Sequence, residues 1–352
     1  MPRVLALPGD GIGPEVMAEA LEVLARVAPD VESERALIGG AAIDATGEPL
    51  PPDTLDRARE CGVVLLGAVG GPRWDGQPQD KKPEAGLLGI RKALGLYANL
   101  RPATVVPALA ASSPLRPEGV RGVDLVVVRE LTGGLYYGQP RGRFESEGEA
   151  AARNTMVYRE SEVRRIARVG FETAARRRGR LTNVHKANVL EVCAFWNEIV
   201  EDEARDHPGV SLDHQLVDSM AMVLLRDAAE FDTILCPNLF GDILSDEAAM
   251  LTGSLGMLPS ASLGEAGRGL FEPVHGSAPD IAGRDRANPL AMILSVAMLL
   301  EHALERPEPA ARVRAAVDRV LEAGHRTPDL ATSGEDPVGT RAMGRLVREA
   351  LA

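Results

Sequence analysis

The alternation of short β-branched or leucine-rich runs with helical patterns constrains this chain more than any other feature. It is the mark of an α/β protein, in which helices cover the faces of a mainly parallel sheet. Val4–Leu7, Val63–Leu66, Leu125–Val128, Leu181–Val184 and Thr233–Cys236 are the runs, and each breaks into a glycine-rich or polar segment. Helical patterns follow at Glu15–Val27, from Lys186 through Trp196, and around Asp246. The C-terminal part reads as three helices, over Pro289–Glu305, Ala310–Ala323 and Gly339–Ala352. With 352 residues, two domains are expected. Ligands of open α/β sheets bind beyond the carboxyl ends of the strands. Arg129, Lys186 and Asn238, each just past or at such an end, are therefore candidates for one shared cleft.

A net charge of −12 argues against a general binder of nucleic acid or of anionic membranes. An anionic substrate would need a local cluster of arginines. Aromatics make up only 3% of the chain, so Leu, Val, Ile and Ala must build the core. The longest apolar run, Ala291 to Leu300, suits a buried helix and is too short for a bilayer. The apolar stretch at the N-terminus is too short for a signal peptide. Cys61, Cys193 and Cys236 lack metal-ligand spacing. A cytoplasmic protein with reduced thiols is expected, and Arg176–Arg178 reads as a solvated helix end.

Four constellations carry chemistry. Asp242 and Asp246 are i and i+4, so a helix stacks both carboxylates on one face. A divalent cation such as Mg²⁺ or Mn²⁺ would relieve their repulsion; a helix N-terminus rich in acids is the alternative. Asp218 is a third acid in an apolar setting. Arg91, Arg101 and Arg129 each read singly as a salt-bridge partner, but beside a metal site they suggest a dicarboxylate. Lys186 and Tyr136 offer a base and an acid. Of the glycine-rich loops, Gly9-Asp10-Gly11-Ile12-Gly13 has the wrong spacing for a dinucleotide fingerprint. Pro273 to Gly283, with Asn288 beyond, fits a nucleotide better, or else a plain surface loop. There, Asp280 could accept from a ribose hydroxyl and would repel a 2′-phosphate, which favours NAD over NADP.

Jointly these segments resemble the isopropylmalate/isocitrate family of β-decarboxylating dehydrogenases. The carrying motifs are GDGIGPEV at 9–16, GLLGIRK at 86–92, NLRP at 99–102, VRELTGGLYYG at 128–138, KANVLE at 186–191, VDSMAM at 217–222, NLFGDILSD at 238–246, GSLGMLPSASLG at 253–264 and FEPVHGSAPDIAG at 271–283. The resemblance covers essentially the whole chain. It implies a two-domain, non-Rossmann α/β fold with a discontinuous cofactor-binding domain, 1–99 plus 254–352. A domain at 100–253 would carry metal, substrate and a dimerising arm. It further implies a homodimer with a shared site, Lys186 and Asp218 entering from the second chain.

Within that resemblance, Arg91, Arg101 and Arg129 would hold the substrate's carboxylates, and Asp218, Asp242 and Asp246 the Mg²⁺ or Mn²⁺. Tyr136 and Lys186 would be the acid–base pair. His275, Gly276, Ser277, Ala278, Pro279, Asp280, Ile281 and Asn288 would line the adenosine site of NAD, with Glu84 by the nicotinamide. Leu87 and Leu88 would contact an isopropyl group. The implied reaction is oxidation and decarboxylation of 3-isopropylmalate to 4-methyl-2-oxopentanoate, the leucine precursor.

An apolar wall at Leu87-Leu88 leaves a third carboxylate without a partner, so isocitrate should be rejected better than other alkylmalates. The nearest rival, a D-malate or tartrate dehydrogenase, is disfavoured by ELTGG at 130–134 and by the paired leucines. A non-catalytic regulatory subunit would be expected to lack acid–base or metal residues that are present here. Two positions depart from the family pattern: His185 stands before Lys186 in place of an acid, and Tyr137 stands beside Tyr136 in place of Phe.

Overall fold

The computed structural model describes residues 1–351. The chain divides into two compact units, both discontinuous. The first comprises Met1–Leu96, Val106–Pro114 and the chain from Thr252 onward; the second comprises Tyr97–Val105 and Leu115–Leu251. Residues 106–114 thus pack with the first unit although they lie inside the 100–253 segment.

In the first unit, β1 (Arg3–Gly9) leads to α1 (Gly13–Val27), and β2 (Glu32–Arg35) to α2 (Gly39–Thr46) and α3 (Pro52–Cys61). Then come β3 (Val63–Ala68) and α4 (Pro83–Ala93). The late part adds β11 (Pro259–Leu263), β12 (Gly269–Pro273), α10 (Leu290–His302), α11 (Pro307–Glu322) and α12 (Thr340–Ala350). Strand order is β2-β1-β3-β12-β11. β1 runs parallel to β2 and β3, and β3 parallel to β12; only β11 is antiparallel. The loops after β1, β3 and β12 therefore emerge on the same edge. β3 is buried throughout, as an unbroken apolar run in a parallel sheet should be. α10 is buried almost all round, which is why Ala291–Leu300 lacks a polar stripe. Leu5 and Leu7 of β1, Val64 and Leu66 of β3, Leu270 of β12 and Ile90 of α4 share one core cluster, which seats α4.

The second unit holds β4 (Ala98–Thr104), α5 (Pro117–Val120), β5 (Asp124–Glu130) and a hairpin of β6 (Gly142–Ser146) and β7 (Glu149–Arg153). There follow α6 (Glu160–Ala175), β8 (Arg180–His185), α7 (Glu191–Glu203), β9 (Ser211–Leu216), α8 (Val217–Asp227), β10 (Thr233–Cys236) and α9 (Asn238–Met250). The order is β4-β5-β10-β8-β9, with β4 antiparallel and the rest parallel. Arg129, Lys186 and Asn238 accordingly sit at the same sheet edge, at or just beyond the ends of β5, β8 and β10. The β6–β7 hairpin is almost wholly exposed.

The basic run after α6 is more than a solvated helix end. Asp232, fully buried ahead of β10, needs donors. It takes Arg177 Nε at 2.8 Å and the N–H groups of Arg178 and Arg180 at 3.0 and 3.2 Å. No helix among the described residues is long and apolar enough to cross a membrane. All three cysteines are free thiols, and burial pushes those of Cys193 and Cys236 up.

Candidate active site

In the second unit, Arg129 is the penultimate residue of β5 and is buried. Its Nε and Nη2 donate to Asn238 Oδ1 at 3.2 and 2.9 Å, and Nη1 donates to Asp242 Oδ1 at 2.5 Å. Gly241 makes room for it, since a Cβ there would lie 2.7 Å from the arginine side chain. Asp242 Oδ2 accepts the Tyr136 hydroxyl at 2.8 Å. Burial first, and the Asp242 contact second, push the Tyr136 phenol up, so it stays protonated and able to donate. One turn along α9, Asp246 Oδ1 accepts from Arg101 Nη1 at 3.1 Å, while Arg101 Nε is held by Asn99 Oδ1 at 3.1 Å. Five of the expected residues thus meet along α9 in two hydrogen-bonded sets one turn apart, Arg129–Asp242–Tyr136 and Arg101–Asp246.

Lys186 and Asp218 form a separate pair. Lys186 Nζ donates to Asp218 Oδ1 at 2.6 Å, and that contact holds the carboxyl below the usual range. Asp218 opens α8 and is exposed. Among the described residues no three acids, histidines or cysteines group closely enough to hold a metal, so one chain does not gather Asp218 with Asp242 and Asp246.

The first unit carries the remaining residues. Glu84, Leu87, Leu88 and Arg91 follow one another along α4 at helical spacing. Leu87 packs against the core cluster, whereas Leu88 is 50% exposed. Arg91 Nη2 donates to Glu272 Oε1 at 2.6 Å, and its Nε is buried without a partner. In the loop after β12, His275 Nδ1 lies 2.9 Å from the Gly276 carbonyl, its Nε2 is buried and unpaired, and burial keeps the ring neutral by pushing its pKa down. Ser277 is buried, while Gly276, Pro279 and Asp280 are exposed; Ala278 and Ile281 are half-buried. Asn288 is engaged internally: its Oδ1 accepts the Leu290 N–H and its Nδ2 donates to Asp329 Oδ2, both at 3.0 Å.

Over residues 3–347 the chain matches the isocitrate/isopropylmalate dehydrogenase family. The chain belongs to that family. A protein of Synechocystis sp. called 3-isopropylmalate dehydrogenase is 58% identical over 97% of this chain and 96% of its own length. One of the same name from Nostoc sp. is 56% identical over 99% and 98%. The crystal structure of isocitrate dehydrogenase from Methylococcus capsulatus has a TM-score of 0.87 at 37% identity, covering 100% of this chain and 99% of that one.

As a member of this dehydrogenase family the protein is an oxidoreductase with a mixed α/β fold. Asp242 and Asp246 supply only carboxylate oxygens, the donor type that Mg²⁺ and Mn²⁺ favour. For a dinucleotide, the small residues at 276–278 and the unpaired His275 Nε2 leave both room and an unmet hydrogen bond. Sequence reasoning missed Asp329, Glu272 and Asp10. Asp329 and Glu272 hold the expected Asn288 and Arg91, Asp10 holds Gly40, Ala41 and Gly70, and the only local signal of each is an acid set among apolar or glycine-rich neighbours.

Proposed function

We propose that the protein oxidises and decarboxylates 3-isopropylmalate to 4-methyl-2-oxopentanoate on the route to leucine. It would use NAD and Mg²⁺ or Mn²⁺ and act as a cytoplasmic homodimer. The observation that carries the substrate is on α4, where exposed Leu88 stands three residues before a guanidinium with an unpaired Nε. A molecule with a carboxylate and a branched alkyl group matches the guanidinium and the leucine in chemical type. The near full-length likeness to proteins called 3-isopropylmalate dehydrogenase supports the same choice.

Asp242, Asp246 and the second chain's Asp218 would hold the divalent cation, which would supply Lewis-acid polarisation of the substrate oxygens, and NAD would supply the hydride acceptor. Arg91, Arg101 and Arg129 would orient the two carboxylates; each already carries an anionic partner, Glu272, Asp246 and Asp242 respectively, that a substrate can share or displace. Lys186, from the second chain, removes the hydroxyl proton through a water. Loss of CO₂ leaves a carbanion equivalent, which Tyr136 protonates from its donating hydroxyl. Glu84 faces the nicotinamide, and residues 275–281 with Asn288 receive the adenosine. Asp280, exposed in that loop, takes the ribose hydroxyl and repels a 2′-phosphate.

The test is NADH formation by purified protein with Mn²⁺, offering 3-isopropylmalate, D-malate and isocitrate in parallel. Turnover should be fastest on 3-isopropylmalate and absent after chelation. Faster turnover of D-malate would overturn the substrate, activity in the chelated sample the metal, and equal rates with NADP the cofactor preference.

A further inference from the structure

The glycine-rich turn after β1 takes no part in the proposed reaction, yet its geometry is that of a junction. Asp10 in this turn is buried. Its Oδ1 accepts the Ala41 N–H at 2.7 Å, and its Oδ2 accepts the N–H groups of Gly40 at 2.8 Å and Gly70 at 2.9 Å. Ile38, ahead of α2, offers no side-chain cap, so Asp10 satisfies that helix end from 30 residues away. Its own N–H donates to the Ala68 carbonyl at 2.8 Å, a second tie to the loop after β3. Glu84 reaches the same loop: a Cβ on Gly70 would lie 2.8 Å from Glu84 Oε1.

The other side of the turn is pinned to the loop after β12. The Ile12 N–H donates to the Ser277 carbonyl at 2.8 Å. Gly11, at φ +57°, approaches so closely that a Cβ would stand 1.9 Å from that carbonyl oxygen. One turn therefore joins the segment beside Glu84 to the segment expected to receive adenosine.

We propose that Asp10 is a positioning residue for the nicotinamide half of the dinucleotide site, holding Gly70 and Glu84 in register with the loop at 276–280. The inference rests on the NAD reading given above. Its physical basis is that only an ionised carboxylate offers acceptors to all three N–H groups at once. An asparagine turns an NH₂ toward backbone donors and leaves at least one of them unpaired. The Ile12–Ser277 contact does not involve that side chain, so the adenosine end is left intact.

The experiment titrates the full-length protein with NADH and, separately, with ADP, which probes the adenosine end alone. In D10N, ADP should bind within about twofold of the original protein, while NADH binds about tenfold more weakly. In G11A, where the new Cβ strikes the Ser277 carbonyl, both ligands should weaken together. Equal weakening of ADP and NADH in D10N, or no change in either, overturns the positioning role. Failure of the unaltered protein to bind either ligand removes the dinucleotide reading itself, and this inference with it. Should D10N not fold, amide hydrogen exchange on the unaltered protein decides. Gly70, though in a loop, should exchange as slowly as Gly40 and Ala41, and exchange at the rate of a free amide overturns the proposal.

Discussion

Replacing Leu88 with alanine separates recognition of the alkyl group from the rest of the site. Leu88 is in the middle of α4 and half exposed, while its neighbour Leu87 does the packing against the core cluster. Alanine leaves no internal cavity there and is a better helix former, so the folding cost should stay within about 0.5 kcal/mol. What disappears is a set of three side-chain carbons available to cover the substrate's branch. A methylene fully removed from water is worth about 0.8 kcal/mol, and a side chain already half covered can gain only part of that for each carbon. The loss on binding the transition state is then about 1–2 kcal/mol, roughly 5- to 30-fold in kcat/KM. D-malate has no alkyl branch, so its kcat/KM should barely move, and the ratio of the two substrates should fall by that factor. The assay is initial-rate NADH formation with both substrates at saturating NAD and Mn²⁺, alongside a melting curve. If both substrates lose equally, or neither loses, Leu88 does not touch the branch and the reasoning from α4 fails.

Three further outcomes are expected. Y136F removes a hydroxyl that donates to Asp242, so kcat should fall by about 10²–10⁴ with the melting temperature unchanged; a normal kcat takes Tyr136 out of proton transfer. D232N weakens the clamp on Arg177 and the following backbone and should cost about 1–3 kcal/mol in urea unfolding, whereas a cost below about 0.5 kcal/mol would show the clamp is idle. Burial, with His214 beside it, holds His185 below its ordinary pKa of 6.5, while Glu201 acts the other way. The unfolded chain therefore binds more protons below that pH, and stability is lost as pH falls from about 6.5 toward the folded-state value. H185N should flatten the decline in melting temperature between about pH 7 and 5 relative to the original protein, and identical slopes would refute the assignment.

What the sequence made legible was local. Thr233–Cys236 is a strand with the expected bounds because an apolar four-residue run in a central parallel position has no alternative partner face. Asp242 and Asp246 share a helix face because their spacing alone dictates it. The strand at Ala98–Thr104 has no clear signature in the sequence, since its register is set by antiparallel pairing with β5 rather than by its own alternation. The partners of the two aspartates were equally hidden: Arg129 and Arg101 lie 113 and 145 residues away in sequence. The glycine spacing around Asp10 does not fit a dinucleotide fingerprint, so its turn points to no role for the acid. Its role depends on backbone N–H groups 30 and 60 residues distant, which no local pattern encodes.

The separation of Lys186–Asp218 from the Asp242–Asp246 helix has a consequence for how such a site can work. Lys186 and Asp218 are bound to each other, so whatever carries one into a neighbouring site carries both. The base and the third metal oxygen would then arrive as one unit, and the second chain would deliver proton transfer and cation binding together. Each chain on its own keeps two carboxylates already balanced by Arg129 and Arg101, a state with no uncompensated pair of charges. Assembly of the proposed dimer would thus add the elements of catalysis at a point where the isolated chain is electrostatically quiet.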